Sequence, residues 1–123
     1  MDRPTPRALV VDDDPSVSRL MWRCLSMWGW AAEECHSVSG ALTLFRSTWY
    51  DLALCDVDLP DGDGISLATA LSKAKPSLLV VVVSGNPENV NRARQSGLRC
   101  LQKPFDLDAL KALIENRPQS VPS

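Results

Sequence analysis

The chain has 123 residues, a single histidine and a formal net charge of −2. That length fits one domain with its own core and leaves no room for a second, and the lack of a basic excess argues against nucleic-acid binding by this segment. Residues 1–6 lack the apolar run of a signal peptide and no stretch approaches membrane-spanning length, so the expected setting is the cytoplasm, away from the membrane.

Taken in order, residues 1–6 read as a tail and 7–11 as a first strand, apolar throughout after its basic start, as a central parallel strand should be. Asp14-Pro15 supplies an N-cap and a proline at the first helical position. Val17, Leu20, Met21, Cys24 and Trp28 then form the apolar face of a helix that Gly29 ends. Residues 30–35 read as a second strand, placed at a sheet edge by Glu33 and Glu34. Ser37 caps a helix with Val38, Ala41, Leu42 and Phe45 inward, and Trp49-Tyr50 leads into a buried strand ending at Asp56. A Pro-Asp-Gly-Asp-Gly turn precedes a helix over about 65–72, packed by Ile65, Ala68 and Leu71. The strongest strand runs from Leu78 into Ser84, and Pro87 opens a polar helix whose inward candidates are Val90 and Ala93. After Gly97, a short strand through Cys100 reaches Lys103-Pro104, and Asp106 caps a last helix expected to bury Leu107, Leu110, Leu113 and Ile114. Residues 117–123 read as a linker or tail. Strands alternating with helices imply a parallel sheet covered on both faces.

Cys24, Cys35, Cys55 and Cys100 lie far apart with no Cys-x-x-Cys pair, so small reduced core residues are expected rather than a zinc site. His36, where a strand gives way to a helix, reads as a surface or capping residue.

Functional residues gather where the strands stop. Asp12-Asp13 follows the first, Asp56 ends the third, Ser84 ends the fourth and Lys103 follows the fifth. In an open α/β sheet, ligands bind in the crevice outside the carboxyl ends of the strands. Three carboxylates meeting there would repel one another, and a hard divalent cation such as Mg²⁺ relieves that repulsion through oxygen ligands. An acid pair, then Asp, Ser and Lys-Pro in this order and at these intervals resembles the receiver domain of two-component response regulators, across nearly the whole chain.

The resemblance implies a receiver domain over 7–116. Its expected fold is a flavodoxin-like, doubly wound (βα)5 sandwich around a five-stranded parallel sheet of order 2-1-3-4-5. It makes Asp56 the phosphoacceptor, Asp13 and Asp56 direct Mg²⁺ ligands, Asp12 a nearby or water-mediated one, and the backbone carbonyl of Asp58 a further ligand. Lys103 and Ser84 would neutralise and hold phosphoryl oxygens, a cis Lys103–Pro104 bond is expected, and Asp58 and Asn86 would flank the phosphoryl group. The partners implied are a sensor histidine kinase or histidine phosphotransfer protein, with a downstream effector domain or protein. Such a domain is a signalling phosphoacceptor, not an enzyme beyond its own phosphorylation and dephosphorylation.

Two positions stand apart. Where the family carries a switching Tyr or Phe, this chain has Cys100, which cannot swing a ring between buried and exposed states. Trp22 falls off the first helix's apolar stripe and is expected to face solvent, either as a partner-docking anchor or packed on a neighbouring side chain. A receiver that only binds proteins, without taking phosphate, is a second reading. A haloacid-dehalogenase-type phosphatase, built on Asp56-Val57-Asp58, is a third, but Leu59-Pro60 departs from its pattern and Asp12-Asp13 has no role in it. A calcium loop fails because its fifth and sixth positions would be Pro60 and Asp61.

Overall fold

The computed structural model describes residues 5–115. The expected linker at 117–123 and most of the N-terminal tail lie outside them. The elements run β1 (Arg7–Val11), α1 (Pro15–Met27), β2 (Ala31–Cys35), α2 (Val38–Ser47), β3 (Leu52–Asp56), β4 (Asp58–Leu59), β5 (Gly62–Asp63), α3 (Gly64–Ala74), β6 (Leu79–Ser84), α4 (Pro87–Gln95), β7 (Arg99–Gln102) and α5 (Leu107–Glu115). β2, β1, β3, β6 and β7 form one parallel sheet in that order. Setting aside the small antiparallel hairpin β4–β5, this is the expected 2-1-3-4-5 order of a flavodoxin-like sheet.

The period of two along each strand sorts the core into two layers. Leu9, Val11, Ala53, Cys55, Val80 and Val82 face α2, α3 and α4, where they meet Ala41, Ile65, Leu67, Ala68, Leu71 and Ala93. Ala8, Val10, Leu52, Leu54, Val81 and Val83 face α1 and α5, against Met21, Leu25, Leu110 and Ile114. β1, β3 and β6 are covered on both sides, which explains why their sequences are continuously apolar rather than alternating. Among the described residues, no helix is long and apolar enough to cross a membrane.

Several expectations change with packing. Helical spacing places Leu20 and Leu107 inward, yet they are 50% and 41% exposed. The α1 stripe runs instead through Met21, Cys24 and Leu25, with the buried Ser18 above it, whose hydroxyl donates to Glu34 Oε1 at 2.8 Å. In α2 only Ala41 is fully buried, while Val38, Leu42 and Phe45 pack half-buried near the sheet edge. The Pro-Asp-Gly-Asp-Gly stretch forms the β4–β5 hairpin, with Asp58 opposite Asp63. Asp63 then caps α3, and Gly97, at φ +79°, follows α4 as expected.

All four cysteines are free, three of them buried and Cys100 half-buried. Strand register sets Cys35, Val11, Cys55, Val82 and Cys100 in one row across the sheet. At the opposite end of the sheet from Asp56, Lys75 is almost fully buried. Its ammonium donates to the Tyr50 carbonyl and lies 3.3 Å from the centre of the Trp49 ring, a cation–π contact. The Tyr50 hydroxyl donates to Glu33 Oε1 at 2.7 Å, and burial together with that carboxylate holds the phenol well above its ordinary pKa.

Candidate functional site

The site forms at the carboxyl ends of β1 and β3, where two buried strands run out into loops. Asp12 is fully buried and Asp56 is 6% exposed, whereas Asp13 is exposed at the rim. Oxygens of the three carboxylates all lie within 4.8 Å of one another. A local turn holds the first acid, with the Asp14 amide donating to Asp12 Oδ1 at 2.9 Å. His36, exposed at the end of β2, donates from Nδ1 to the Asp12 carbonyl at 2.8 Å. The lone histidine therefore braces the acidic loop, in keeping with its expected surface or capping role.

Lys103 reaches in from the end of β7. Its Nζ is 3.1 Å from Asp12 Oδ2 and 3.5 Å from Asp56 Oδ1. The Lys103–Pro104 peptide is cis, as expected, and the Lys103 amide donates to the Ser84 carbonyl at 2.8 Å. Burial pushes the Asp56 carboxyl up to about 6, helped by the Asp12 charge and opposed by the charge and hydrogen bond of Lys103. Burial works against the charge on Lys103, but Asp12 and Asp56 outweigh it and hold the ammonium above its ordinary value. The cluster thus has one cation among three acids.

Ser84 ends β6 and is 1% exposed. Its Oγ accepts from the Asn86 amide at 3.0 Å and from Asn89 Nδ2 at 3.4 Å. Asn86 caps α4, its Oδ1 accepting from the Glu88 amide at 2.9 Å. Asp58 sits exposed on the hairpin, two residues past Asp56. Cys100 lies on β7, with β6 between it and the strand of Asp56, half-buried and packed on the α4 side of the sheet.

Trp22 does not face solvent freely. It is half-buried, its Nε1–H donates to the Ala32 carbonyl of edge strand β2 at 2.8 Å, and the Arg19 guanidinium lies 5.4 Å from the ring centre. The indole N–H found a backbone acceptor that helical spacing alone does not reveal. Trp22→Phe is expected to lower stability by about 1 kcal/mol in urea unfolding, the worth of one ordinary hydrogen bond; an unchanged midpoint would show that the bond contributes nothing.

Three further residues shape the site without having been singled out in the sequence. A Cβ at Gly64 would stand 1.8 Å from the Asp56 carbonyl oxygen, so only glycine lets α3 begin against the Asp56 peptide. Asp61 at the hairpin tip accepts from the Ser39 and Val38 amides at 3.0 and 2.7 Å, which lowers its pKa and ties the hairpin to the start of α2. Arg92 of α4 reaches Asp63 Oδ2 at 3.0 Å. A second glycine after Asp-Gly-Asp was the one visible sign of the first; the other two needed the fold.

Hard oxygen donors from two loops at this separation suit a small divalent cation. A doubly wound sheet with an acidic crevice at its strand ends and a lysine bridging two of the acids is suited to holding a cation and an anionic group between them. Comparison with known proteins agrees. The family model described as the response regulator receiver domain matches residues 8–115. The transcriptional regulatory protein ZraR of Escherichia coli (strain K12) is 36% identical over 110 residues, which are 87% of this chain and 25% of that protein. The sensor histidine kinase RcsC of Salmonella typhi is 36% identical over 109 residues, 86% of this chain and 12% of that protein. The crystal structure of a sensor protein from Polaromonas sp. JS666 superposes with a TM-score of 0.81 at 32% identity, covering 93% of this chain and 96% of the other.

This chain belongs to the response regulator receiver domain family of two-component signalling. It spans a quarter or less of the length of these two curated relatives. The phosphatase reading is not favoured, since family match and fold both point to a receiver.

Proposed function

We propose that the receiver unit, residues 7–116, takes a phosphoryl group onto Asp56 from a phosphohistidine of a sensor kinase or phosphotransfer protein. The observation that carries this reading is the meeting of Asp12, Asp13 and Asp56 within 4.8 Å with the Lys103 ammonium set between Asp12 and Asp56. Asp13 and Asp56 would hold Mg²⁺, with the buried Asp12 beside them and the Asp58 backbone carbonyl as a further ligand. When bound, the cation neutralises acid repulsion and one phosphoryl oxygen.

The remaining steps belong to the chain's own residues. An Asp56 carboxylate oxygen attacks phosphorus in line, the phosphorus–nitrogen bond of the donor breaks, and the electron pair leaves on the histidine nitrogen. Lys103 moves its attention from Asp56 to an equatorial phosphoryl oxygen, and the Ser84 hydroxyl donates to another. Asp58 and Asn86 flank the group and govern how long it survives. The module acts as a switch, catalysing only its own loading and hydrolysis, and works in the cytoplasm on an effector domain or protein. The names of the relatives, a transcriptional regulator and a histidine kinase, suit either end of such a pathway. Trp22, bound edge-on to β2, remains the proposed anchor for the donor on α1.

Acetyl phosphate with Mg²⁺ is expected to add one acid-labile phosphoryl group, located at Asp56 by peptide mass spectrometry. With EDTA the labelling should vanish. Lys103→Ala should bind Mg²⁺ but label at least tenfold more slowly, about 1.4 kcal/mol or more of lost transition-state stabilisation. No label on the wild-type protein would leave the interaction-only receiver as the better reading.

A further inference from the structure

Cys100 carries no ring that could swing between buried and exposed states, and a signal leaving the site needs another route. The polar contacts of Ser84 supply one. A hydroxyl has two acceptor lone pairs and one donor proton. Both lone pairs of Ser84 are engaged from the α4 side, by the Asn86 amide and by Asn89 Nδ2. The O–H is thereby left to donate to something other than α4.

Asn89 is itself held. Its Oδ1 accepts from Arg92 Nη1 at 3.0 Å, and the same guanidinium donates from Nη2 to Asp63 Oδ2 at 3.0 Å. Asp63 also accepts from the Ser66 hydroxyl at 3.2 Å and the Ile65 amide at 3.3 Å, which makes it the cap of α3. The chain Ser84–Asn89–Arg92–Asp63 therefore joins the end of β6 to the hairpin and the start of α3, through one helix face. The link at Ser84 is the longest of the three between side chains, and α4 is anchored by just two buried side chains, Val90 and Ala93. A short helix with so small an apolar anchor can shift at little cost.

We infer that Asn89 and Arg92 are positioning residues that aim the Ser84 hydroxyl at the phosphoryl group and carry its displacement to Asp63 and the start of α3, in place of an aromatic switch. This rests on the phosphoacceptor reading above. When Ser84 donates to a phosphoryl oxygen, its long 3.4 Å contact with Asn89 tightens and draws Asn89 with it, and Arg92 then redistributes between Asn89 and Asp63.

The test uses Mg²⁺ with beryllofluoride as the phosphoryl mimic, read by amide chemical shifts. In the wild-type protein, shifts are expected around Asp13 and Asp56, along 84–92 and at 63–66. Arg92→Ala should keep those around Asp56 and lose those at 63–66. Asn89→Ala should leave Mg²⁺ affinity unchanged and weaken beryllofluoride binding about fivefold, the size of one modest hydrogen bond. A purely structural role for Asn89 would move both affinities together. Shifts at 63–66 as large in Arg92→Ala as in the wild type, with Asp56 responding normally, would overturn the relay alone. No response around Asp56 in the wild type would overturn the phosphoacceptor reading, and the relay with it.

Discussion

Replacing Asp56 by asparagine should make the metal-free protein more stable while ending its capacity to accept a phosphoryl group. The carboxyl is buried beside Asp12, and its pKa of about 6 lies above that of an unfolded aspartate. A raised carboxyl pKa means that the folded chain holds the proton more tightly than the unfolded one. Its contribution to stability is therefore fully present below about pH 4 and is lost as pH rises through about 6. Above that window the ionised Asp56 costs the apo protein up to about 3 kcal/mol, at 1.36 kcal/mol per pKa unit. Asparagine keeps the shape and removes the charge, leaving Lys103 to pair with Asp12.

Urea unfolding in EDTA should then find Asp56→Asn more stable than the wild type at pH 7.5, with the gap closing below pH 4. Added Mg²⁺ should stabilise the wild type and do little for the variant, since a cation binding only the folded state raises stability by mass action. Equal midpoints in EDTA at pH 7.5 would mean that the acids do not strain the apo fold. Acetyl phosphate labelling that persisted in the variant would remove Asp56 from the acceptor role.

Gly64→Ala should damage the protein more than any other glycine substitution near the site. Gly64 opens α3, where alanine's better helix propensity would favour the exchange by at most about 1 kcal/mol. Sterics oppose it: the new Cβ would lie 1.8 Å from the Asp56 carbonyl oxygen, 2.7 Å from its carbonyl carbon and 2.8 Å from the Val57 Cα. All three are backbone atoms at the strand end that carries Asp56, and none can rotate away. A loss of about 3 kcal/mol or more is expected, as in severe overpacking, together with loss of labelling as the Asp56 peptide is displaced. Gly62 is the control, because a Cβ there meets first a Val38 methyl at 3.0 Å, the end of a side chain. Gly62→Ala should cost less and keep its label; a Gly64→Ala protein as stable as the wild type would show that α3 can slide off β3.

The class of fold and the acidic site were both legible along the chain, for the same reason. A strand buried on both faces must be apolar throughout, so β1, β3 and β6 announce themselves as runs, and the first polar residue after each run marks the strand's exit into the crevice. Asp12, Asp56 and Ser84 are those residues, and local signals such as Asp14-Pro15, Ser37 and Pro87 set the helix starts. These features depend on sequence neighbours and on burial of whole elements, which composition and spacing encode.

Contacts between distant segments were decided by the tertiary structure alone. Helical spacing could not say that Leu20 and Leu107 lie beyond the edge of what the sheet covers, because the width of a buried stripe depends on the surface beneath it. Nor could it say that the Trp22 indole would find the Ala32 carbonyl, or that Lys75 would bury its ammonium between Tyr50 and Trp49. Gly64 looks like any turn glycine until the Asp56 peptide is laid against it, and Arg92 like a solvated charge until α4 is set beside the β4–β5 hairpin. The sequence by itself determined which residues leave the sheet at its functional edge, because burial is a property of each strand taken whole. Only the folded chain decided which partners those residues meet, because hydrogen bonds and steric contacts act over a few ångströms between segments that sequence order keeps apart.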